Sequence, residues 1–464
     1  MSAVDTQPAG EIRPPQAWLA EAIAHEEAGR LEEAADLLDR LIAAAPAFHP
    51  AMLQAGMLAH KRGRPSEALS FCERAAELAP DNPIYHRNLG ELYRVFGRLD
   101  EAILHGRRAA ALLPDDPLSH YNLGVIQYDR QDIPAAIEAQ RRTLALNPAM
   151  PSAHFELAEA LLLSGQFAEG WEEYEWRFRL PNVPQPLPAG EQPQWDGQPM
   201  PSETLLLIGD QGFGDTIQFA RYIPLVAKRC PKLVVACSAE MFPVISQQPG
   251  VQAYSERWAE MPAFAAYCPL SGLPRLFKTD LGNIPAPIPY LNAEPALVEH
   301  WRRRLDALSL PGYRRVGLVW AGRPTHGNDF NRSITLKHLA PLVEIERIVF
   351  FSLQMGPGQA QIGGYYGQAP LINLGAEIRD FSDTMAILTL LDRLVSVDTS
   401  VAHLAGAMGR PVSMLTPFAP DWRWLQGRSD TPWYPSVELL RQSAPGDWGA
   451  PVAVAAARLR SDLR

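Results

Sequence analysis

Small and apolar positions recur along the first 180 residues with a step of 34. Glycines stand at Gly29, Gly63, Gly97 and Gly165, with Gln131 in the remaining slot. Ala34, Ala68, Ala102 and Ala136 keep the same step, as do Pro46, Pro80, Pro114 and Pro148. Between the alanine and the proline of each unit stands Leu41, Ala75, Ala109 or Thr143. Each unit predicts two helices. The glycine marks the turn, and the small residue lets the second helix cross the first closely. The proline ends the second helix, because it has no N–H and cannot continue it. Gly90 and Gly124, in Asn88-Leu89-Gly90 and Asn122-Leu123-Gly124, are the small positions of first helices. Units start near residues 15, 49, 83, 117 and 151. The last lacks the closing proline and turns aromatic (Trp171, Tyr174, Trp176, Phe178), as a capping or docking unit would.

The period then vanishes. Residues 181–202 form a proline-rich linker holding Trp195-Asp196-Gly197, which predicts a segment lying against a surface. Beyond it, short apolar runs alternate with helical stretches. Thr204–Ile208, Leu233–Ala236, Val316–Trp320, Ile348–Leu353, Leu394–Val397 and Val412–Leu415 read as buried strands of parallel α/β layers. They fall into two sets, separated by a second proline-rich stretch at Pro285–Pro289. The expected lobes are 203–295 and 296–464, the second ending in a helix, from about Ala450 to Arg464, that crosses back onto the first.

The period and the N-L-G triplets of residues 15–180 resemble the tetratricopeptide repeat. The resemblance implies an all-α solenoid whose concave groove holds a protein or peptide partner, or else a spacer or dimerisation element. Composition sharpens this picture. The chain has 464 residues, 47% of them hydrophobic, enough for several packed cores. Its formal charge of −10 disfavours a nucleic-acid binder. Residues 1–180 carry 17 Lys and Arg against 27 Asp and Glu, so the acidic excess sits on the repeats. A basic or polar acceptor segment suits such a surface. The 43 prolines, about twice the usual share, serve as helix stops and linkers. Cys72, Cys230, Cys237 and Cys268 follow no metal or redox spacing and read as buried, reduced thiols of a cytoplasmic protein. Met1–Pro15 has no apolar core of a secretory signal, and no run is long enough to span a membrane.

Three segments carry candidate chemistry. In Leu207-Ile208-Gly209-Asp210-Gln211-Gly212-Phe213-Gly214-Asp215-Thr216, a strand enters a glycine turn and then a helix. Gly212 and Gly214 allow a ligand to approach backbone N–H groups. The spacing fits neither a dinucleotide fingerprint nor a P-loop. Asp215 is either the helix N-cap or a general base. In Ser396-Val397-Asp398-Thr399-Ser400-Val401-Ala402-His403, another strand gives way to a helix. Asp398, Thr399 and Ser400 place small polar groups where a diphosphate would sit, with His403 one turn in. The loop Val319–Ile334 carries Arg332, suited to a forked phosphate contact or to a surface pair with Asp329. Trp320, Gln354, Asp421 and Trp422 are weaker candidates for a nucleotide or sugar pocket, with core and loop packing as the alternative.

Taken in order, G-D-Q-G-F-G-D-T-I-Q-F-A-R-Y, V-W-A-G-R-P…N-R-S-I and V-D-T-S-V-A-H-L-A-G-A-M-G-R-P-V resemble the lipopolysaccharide heptosyltransferase type of glycosyltransferase. The resemblance covers roughly residues 203–445. It implies a GT-B fold of two Rossmann-like lobes and metal-independent, inverting transfer. No cofactor is implied beyond the donor, a nucleotide-diphosphate sugar. It gives Asp215 the role of base, and gives Asp398, Thr399, Ser400 and His403 the donor's pyrophosphate and sugar. Ser400 departs from the family's glycine, and Arg332 stands where a lysine is commoner. An ADP-sugar is the donor this resemblance implies. The architecture alone is similar to O-linked N-acetylglucosamine transferases, which use a UDP-sugar but carry other motifs. The repeats would then recruit a protein or glycan acceptor. The competing expectation is a non-catalytic repeat scaffold with a degenerate nucleotide-sugar-binding domain.

Overall fold

The computed structural model describes residues 13–181, 183–186, 191–285 and 288–463. Most of the N-terminal stretch, part of the first linker (Pro188 included) and part of Pro285–Pro289 lie outside the described residues. The chain divides into two compact units, Met1–Ala153 and His154–Arg464.

The first unit is built from antiparallel helix pairs: α1 (Pro15–Glu27) with α2 (Leu31–Ala44), α3 (His49–Lys61) with α4 (Pro65–Leu78), α5 (Pro83–Val95) with α6 (Leu99–Leu112), and α7 (Pro117–Asp129) with α8 (Ile133–Leu146). A fifth pair, α9 (Pro151–Leu163) and α10 (Phe167–Tyr174), follows in the same register. The turn residues take a left-handed conformation, with φ of +76° at Gly29, +70° at Gly97 and +65° at Gln131. Close crossing depends on the small positions. A Cβ on Gly56 would stand 2.7 Å from Cys72 Sγ, and one on Gly170 would stand 2.8 Å from Leu162 Cδ2. These are the slots that the 34-residue step picked out.

The second unit joins α10, through a 3-10 turn at Glu175–Arg179, to two parallel sheets. The first sheet comprises β1 (Thr204–Ile208), β2 (Lys232–Ala236), β3 (Val251–Ser255) and β4 (Ala266–Pro269), in spatial order β3-β2-β1-β4. Its helices are α11 (Phe213–Ala220), α12 (Ile223–Arg229), α13 (Phe242–Ile245) and α14 (Leu273–Leu276). After α15 (Pro295–Leu308) comes the second sheet: β5 (Arg314–Val319), β6 (Ile348–Ser352), β7 (Leu371–Asn373), β8 (Arg393–Val397), β9 (Val412–Thr416) and β10 (Val437–Arg441). Short helices α16 (Asp329–Arg332) and α17 (Ala340–Val343) and the longer α18 (Phe381–Leu390) and α19 (Ser400–Ala407) connect them, and α20 (Gly449–Asp462) follows.

The spatial order β10-β9-β8-β5-β6-β7 is that of a doubly wound sheet. Its order reverses between β5 and β8, and the first sheet's between β1 and β4. Ligands of such sheets bind in the crevice beyond the strand ends at that reversal.

Two expectations need correction. The final helix does not cross to the first sheet. Val452, Ala455, Ala456 and Leu459 of α20 are buried in one core with Val316, Phe350 and Val395 of the second sheet. Strands β3, β4, β7 and β10 do not stand out in the sequence, because all four are edge strands and β4 and β7 are only four and three residues long. The linker's Trp195 is buried, its backbone N–H donating to Tyr267 O at 2.7 Å, so this segment runs along β4. All four cysteines are buried and unpaired.

Candidate functional site

The loops after β1 and β8 meet. Gly214, in the first turn of α11, packs against the His403 ring of α19, and a Cβ on Gly214 would stand 2.9 Å from His403 Cδ2. A glycine is thus required here for close approach. Gly212 is the N-cap of α11, and Asp215 stands at the third helical position. Asp215 is therefore not the N-cap. Its Oδ2 accepts the Gly212 N–H at 2.9 Å, which closes the helix start from inside. Its Oδ1 is ion-paired with Arg423.

Arg423 organises this junction; in the sequence it stands out only as a member of the Phe418–Trp424 segment, a candidate sugar or base pocket or loop packing. Its buried guanidinium donates to Asp215, to Gln218 Oε1 at 2.5 Å and to both oxygens of Asp421 at 2.9 Å. Asp421 also accepts the Arg423 backbone N–H at 3.0 Å. Asp421 is thus a partner of Arg423 at the start of a 3-10 turn. Trp422 is fully buried, edge-on to Trp171 with ring centres 5.2 Å apart, and also packed on Tyr174 and Trp433. These contacts bring the last repeat pair to the junction. Tyr174 exchanges hydrogen bonds with Gln211, and Arg177 lies 3.8 Å from the buried carboxylate of Asp210. Burial pushes the Asp210 carboxyl upward, opposed by Arg177 and by hydrogen bonds from Ser271.

On the second lobe, Thr399 is the N-cap of α19 but its side chain does not cap the helix, so it does not close off the first-turn N–H groups. Its hydroxyl lies 3.0 Å from Ser396 Oγ, and Ser400 begins the helix, half-buried. Asp398 accepts the Trp424 Nε1–H at 2.8 Å and lies 3.6 Å from His403 Nε2. Burial works to raise its pKa, but the His403 and Trp424 contacts and the Arg332 charge outweigh it and hold the carboxyl below the usual range. His403 Nδ1 lies 3.0 Å from the Tyr434 hydroxyl.

Arg332 is largely buried against Gly322, 3.6 Å from Asp329, and its Nε–H has no hydrogen-bond partner among the described residues. His326, from the same loop, has a lowered pKa. Burial and Arg332 depress it, against the opposing charges of Asp398, Asp215 and Asp421. Arg332, Asp398, Asp215 and Asp421 thus bear on one histidine from four segments of the chain.

Two candidates fall to structural roles. The Trp320 ring is in the core of the second lobe. Gln354 spends all its polar capacity on backbone. It accepts from Trp320 N and Ala321 N and donates to Ala321 O and Met355 O, at 2.8–3.0 Å. The polar atoms of Gln354 are thus all engaged, whereas Trp320 Nε1–H has no hydrogen-bond partner among the described residues. A cavity of about 300 Å³ elsewhere on this lobe is lined by Trp301, Arg379 and Asp383, which are hydrogen-bonded to one another.

A family model described as Tetratricopeptide repeat matches residues 13–49, 53–117 and 121–175, and the chain carries these repeats. Over 333 residues, 65% of the chain, it is 28% identical to Protein FlbA of Caulobacter vibrioides. The match spans 54% of that protein, so the chain spans about half the length of this curated relative. Among solved structures it is similar to MamA from Desulfovibrio magneticus RS-1 (17% identity, TM-score 0.34, 36% of this chain and 94% of that one). It is also similar to YrrB, a TPR protein with an unusual peptide-binding site (15% identity, TM-score 0.32, 36% of this chain and 86% of that one). No helix among the described residues is long and apolar enough to cross a membrane.

Proposed function

We propose that the second unit is a glycosyltransferase of GT-B type, moving a sugar from a nucleotide-diphosphate donor to an acceptor hydroxyl recruited by the repeats. The observation that carries this reading is Arg332. Its largely buried guanidinium lies 3.6 Å from Asp329, its Nε–H without a hydrogen bond among the described residues, and its charge bears on Asp398 just beyond β8, a strand at the reversal point of a doubly wound sheet. A diphosphate there would be met by a fixed cation, hydroxyls and helix N–H groups, with no resident metal or other cofactor needed. His403, steadied by Asp398 and Tyr434, would contact the sugar or its phosphate. As the acceptor attacks, a carboxylate must take its proton, and Asp215 and Asp421 both stand at the junction beside Arg423. A protein acceptor fits the repeats, which commonly bind other proteins.

The scaffold reading also has an observation in its favour. Both oxygens of Asp215 are already engaged, as in a site that binds without reacting. Calorimetry with ADP and UDP tests the shared claim. Binding by the full chain should weaken about 10- to 100-fold in an Arg332→Ala, Thr399→Ala double variant, the loss of one or two charge-assisted hydrogen bonds. Equal affinity in both proteins would remove the phosphate site. Turnover of a donor then separates enzyme from scaffold.

A further inference from the structure

We propose that Arg221 is a positioning residue of the transfer: it ties the helix carrying Asp215 to the helix carrying His403, so that the two halves of the site keep one separation. This rests on the transferase reading above. α11 follows β1 of the first sheet and α19 follows β8 of the second. Their first turns meet where Gly214 packs on the His403 ring. Arg221 acts at the opposite end. It is the C-cap of α11 and is 2% exposed.

A guanidinium this deeply buried ordinarily faces a carboxylate. The Arg221 Nε–H instead donates to Gln218 O at 2.9 Å. Its Nη2 donates to Trp433 O at 3.0 Å and to the Tyr290 hydroxyl at 3.3 Å. None of these partners is an anion. Gln218 O belongs to the last turn of α11, where carbonyls lack intrahelical donors and carry the negative end of the helix dipole. The rings of Tyr290, Trp433 and Tyr434 stand 5.0, 5.3 and 5.0 Å from the cation and turn their electron-rich faces to it. The charge is thus met by carbonyls and rings from three segments, and it holds those segments together.

The same partners reach the donor half of the site. Tyr434 packs on α19, where a Cβ on Gly406 would stand 2.6 Å from Tyr434 Cγ. Its hydroxyl lies 3.0 Å from His403 Nδ1, while Asp398 lies 3.6 Å from Nε2 of that ring. Tyr290 joins the two helices a second time. Its O–H donates to Ile217 O of α11 and its N–H to Ala407 O of α19, each at 3.0 Å. Arg221 and Tyr290 therefore cross-tie the C-terminal ends, as Gly214 and His403 join the N-terminal ends. Two eight-residue helices held at both ends move as one body. A slip of α11 along α19 would carry Asp215 away from the donor. About an ångström of such misplacement lowers a rate roughly 10²-fold, with little effect on donor binding.

The test compares the full-length wild type with Arg221→Met, Arg221→Lys and Tyr290→Phe. Each also carries Lys228→Cys and Glu344→Cys for spin labels, on exposed positions of the two lobes, the native cysteines being buried. Pulsed electron paramagnetic resonance gives the distance distribution between the labels. Calorimetry follows ADP and UDP binding, and kinetics follow release of ADP or UDP from a panel of ADP- and UDP-sugars. Arg221→Met should bind nucleotide within about threefold of the wild type, because α19 and Arg332 are untouched. It should lose about 10²-fold in kcat at nearly unchanged KM and broaden the label distribution. Arg221→Lys should recover part of the kcat, and Tyr290→Phe, which keeps the ring, should lose about fivefold. Wild-type kcat with an equally narrow distribution in Arg221→Met would overturn the proposal. So would a parallel loss of binding and turnover, the mark of general structural damage. If Arg221→Met does not fold, wild-type kcat and width in both other variants overturn it. A wild type that turns over no donor would refute the transferase reading and the positioning role with it; the label distances, which need no donor, tell that outcome from a failure of the tie.

Discussion

Arg423 holds three side chains with one guanidinium: Gln218, Asp215 and Asp421. Removing a buried charge from such a set leaves its partners uncompensated. Arg423→Leu should therefore cost about 3–5 kcal/mol, seen as a lower thermal midpoint. Arg423→Lys should recover little, because an ammonium cannot reproduce the fork. An unchanged midpoint in Arg423→Leu would show that the cluster contributes nothing to stability. Glu159 makes a prediction of opposite sign. Its folded pKa lies above the unfolded value, so the folded state holds the proton longer as pH rises. Stability from this group is fully present below the ordinary pKa of about 4.3 and falls as pH rises through the folded pKa. Glu159→Gln should thus melt higher than the wild type at alkaline pH and more nearly alike at about pH 4. Identical melting curves across that range would contradict the burial of Glu159. At this scale the sequence was half legible. Asp398, Thr399 and His403 stand together in a short motif. Arg423 pairs with a residue 208 positions away, and Glu159 reads as one more acidic helix position.

The repeats were legible because one backbone requirement returns every 34 residues. At Gly97 the φ is +70°, and an added Cβ would meet nothing within 4 Å. Gly97→Ala thus isolates the cost of a left-handed alanine, roughly 1–2 kcal/mol. Amide exchange in α5 and α6 should quicken about 5- to 30-fold, with other helix pairs less affected. No change would mean that the turn relaxes freely. The strands were legible where they are fully buried, as in Ile348–Ser352, which is buried at all five positions. Val251–Ser255 alternates between exposed and half-buried, and Leu371–Asn373 is three residues long. Such edge strands carry too little apolar signal to stand out from loops. The aromatic turn of the last repeat was visible, but its partners were not. Trp171 donates to Thr279 O at 3.0 Å, and Phe167 packs on Trp433 with ring centres 6.0 Å apart.

At the scale of the whole molecule, sequence periodicity and compactness divide the chain at different places. The period runs to about residue 180, whereas the compact units part at Ala153 and His154. The fifth repeat pair is a repeat by descent of pattern and a wall of the α/β unit by packing. Phe167, Trp171 and Tyr174 are at most 3% exposed, and Trp422 and Trp433 opposite them are fully buried. The Arg177–Asp210 contact fastens the same wall to the end of β1. A chain beginning at residue 149 keeps α9 whole and should fold, binding ADP or UDP within about twofold of the full chain. A chain beginning at residue 181 exposes Trp422 and Trp433 and strands Asp210 without its cation. Each buried aromatic stripped of its packing costs about 3–5 kcal/mol, and two such losses rival the stability of a whole domain. That shorter chain should be insoluble, or should lack a cooperative thermal transition. Equal melting midpoints for the two truncated chains would return the fifth pair to the array and leave the α/β unit complete without it.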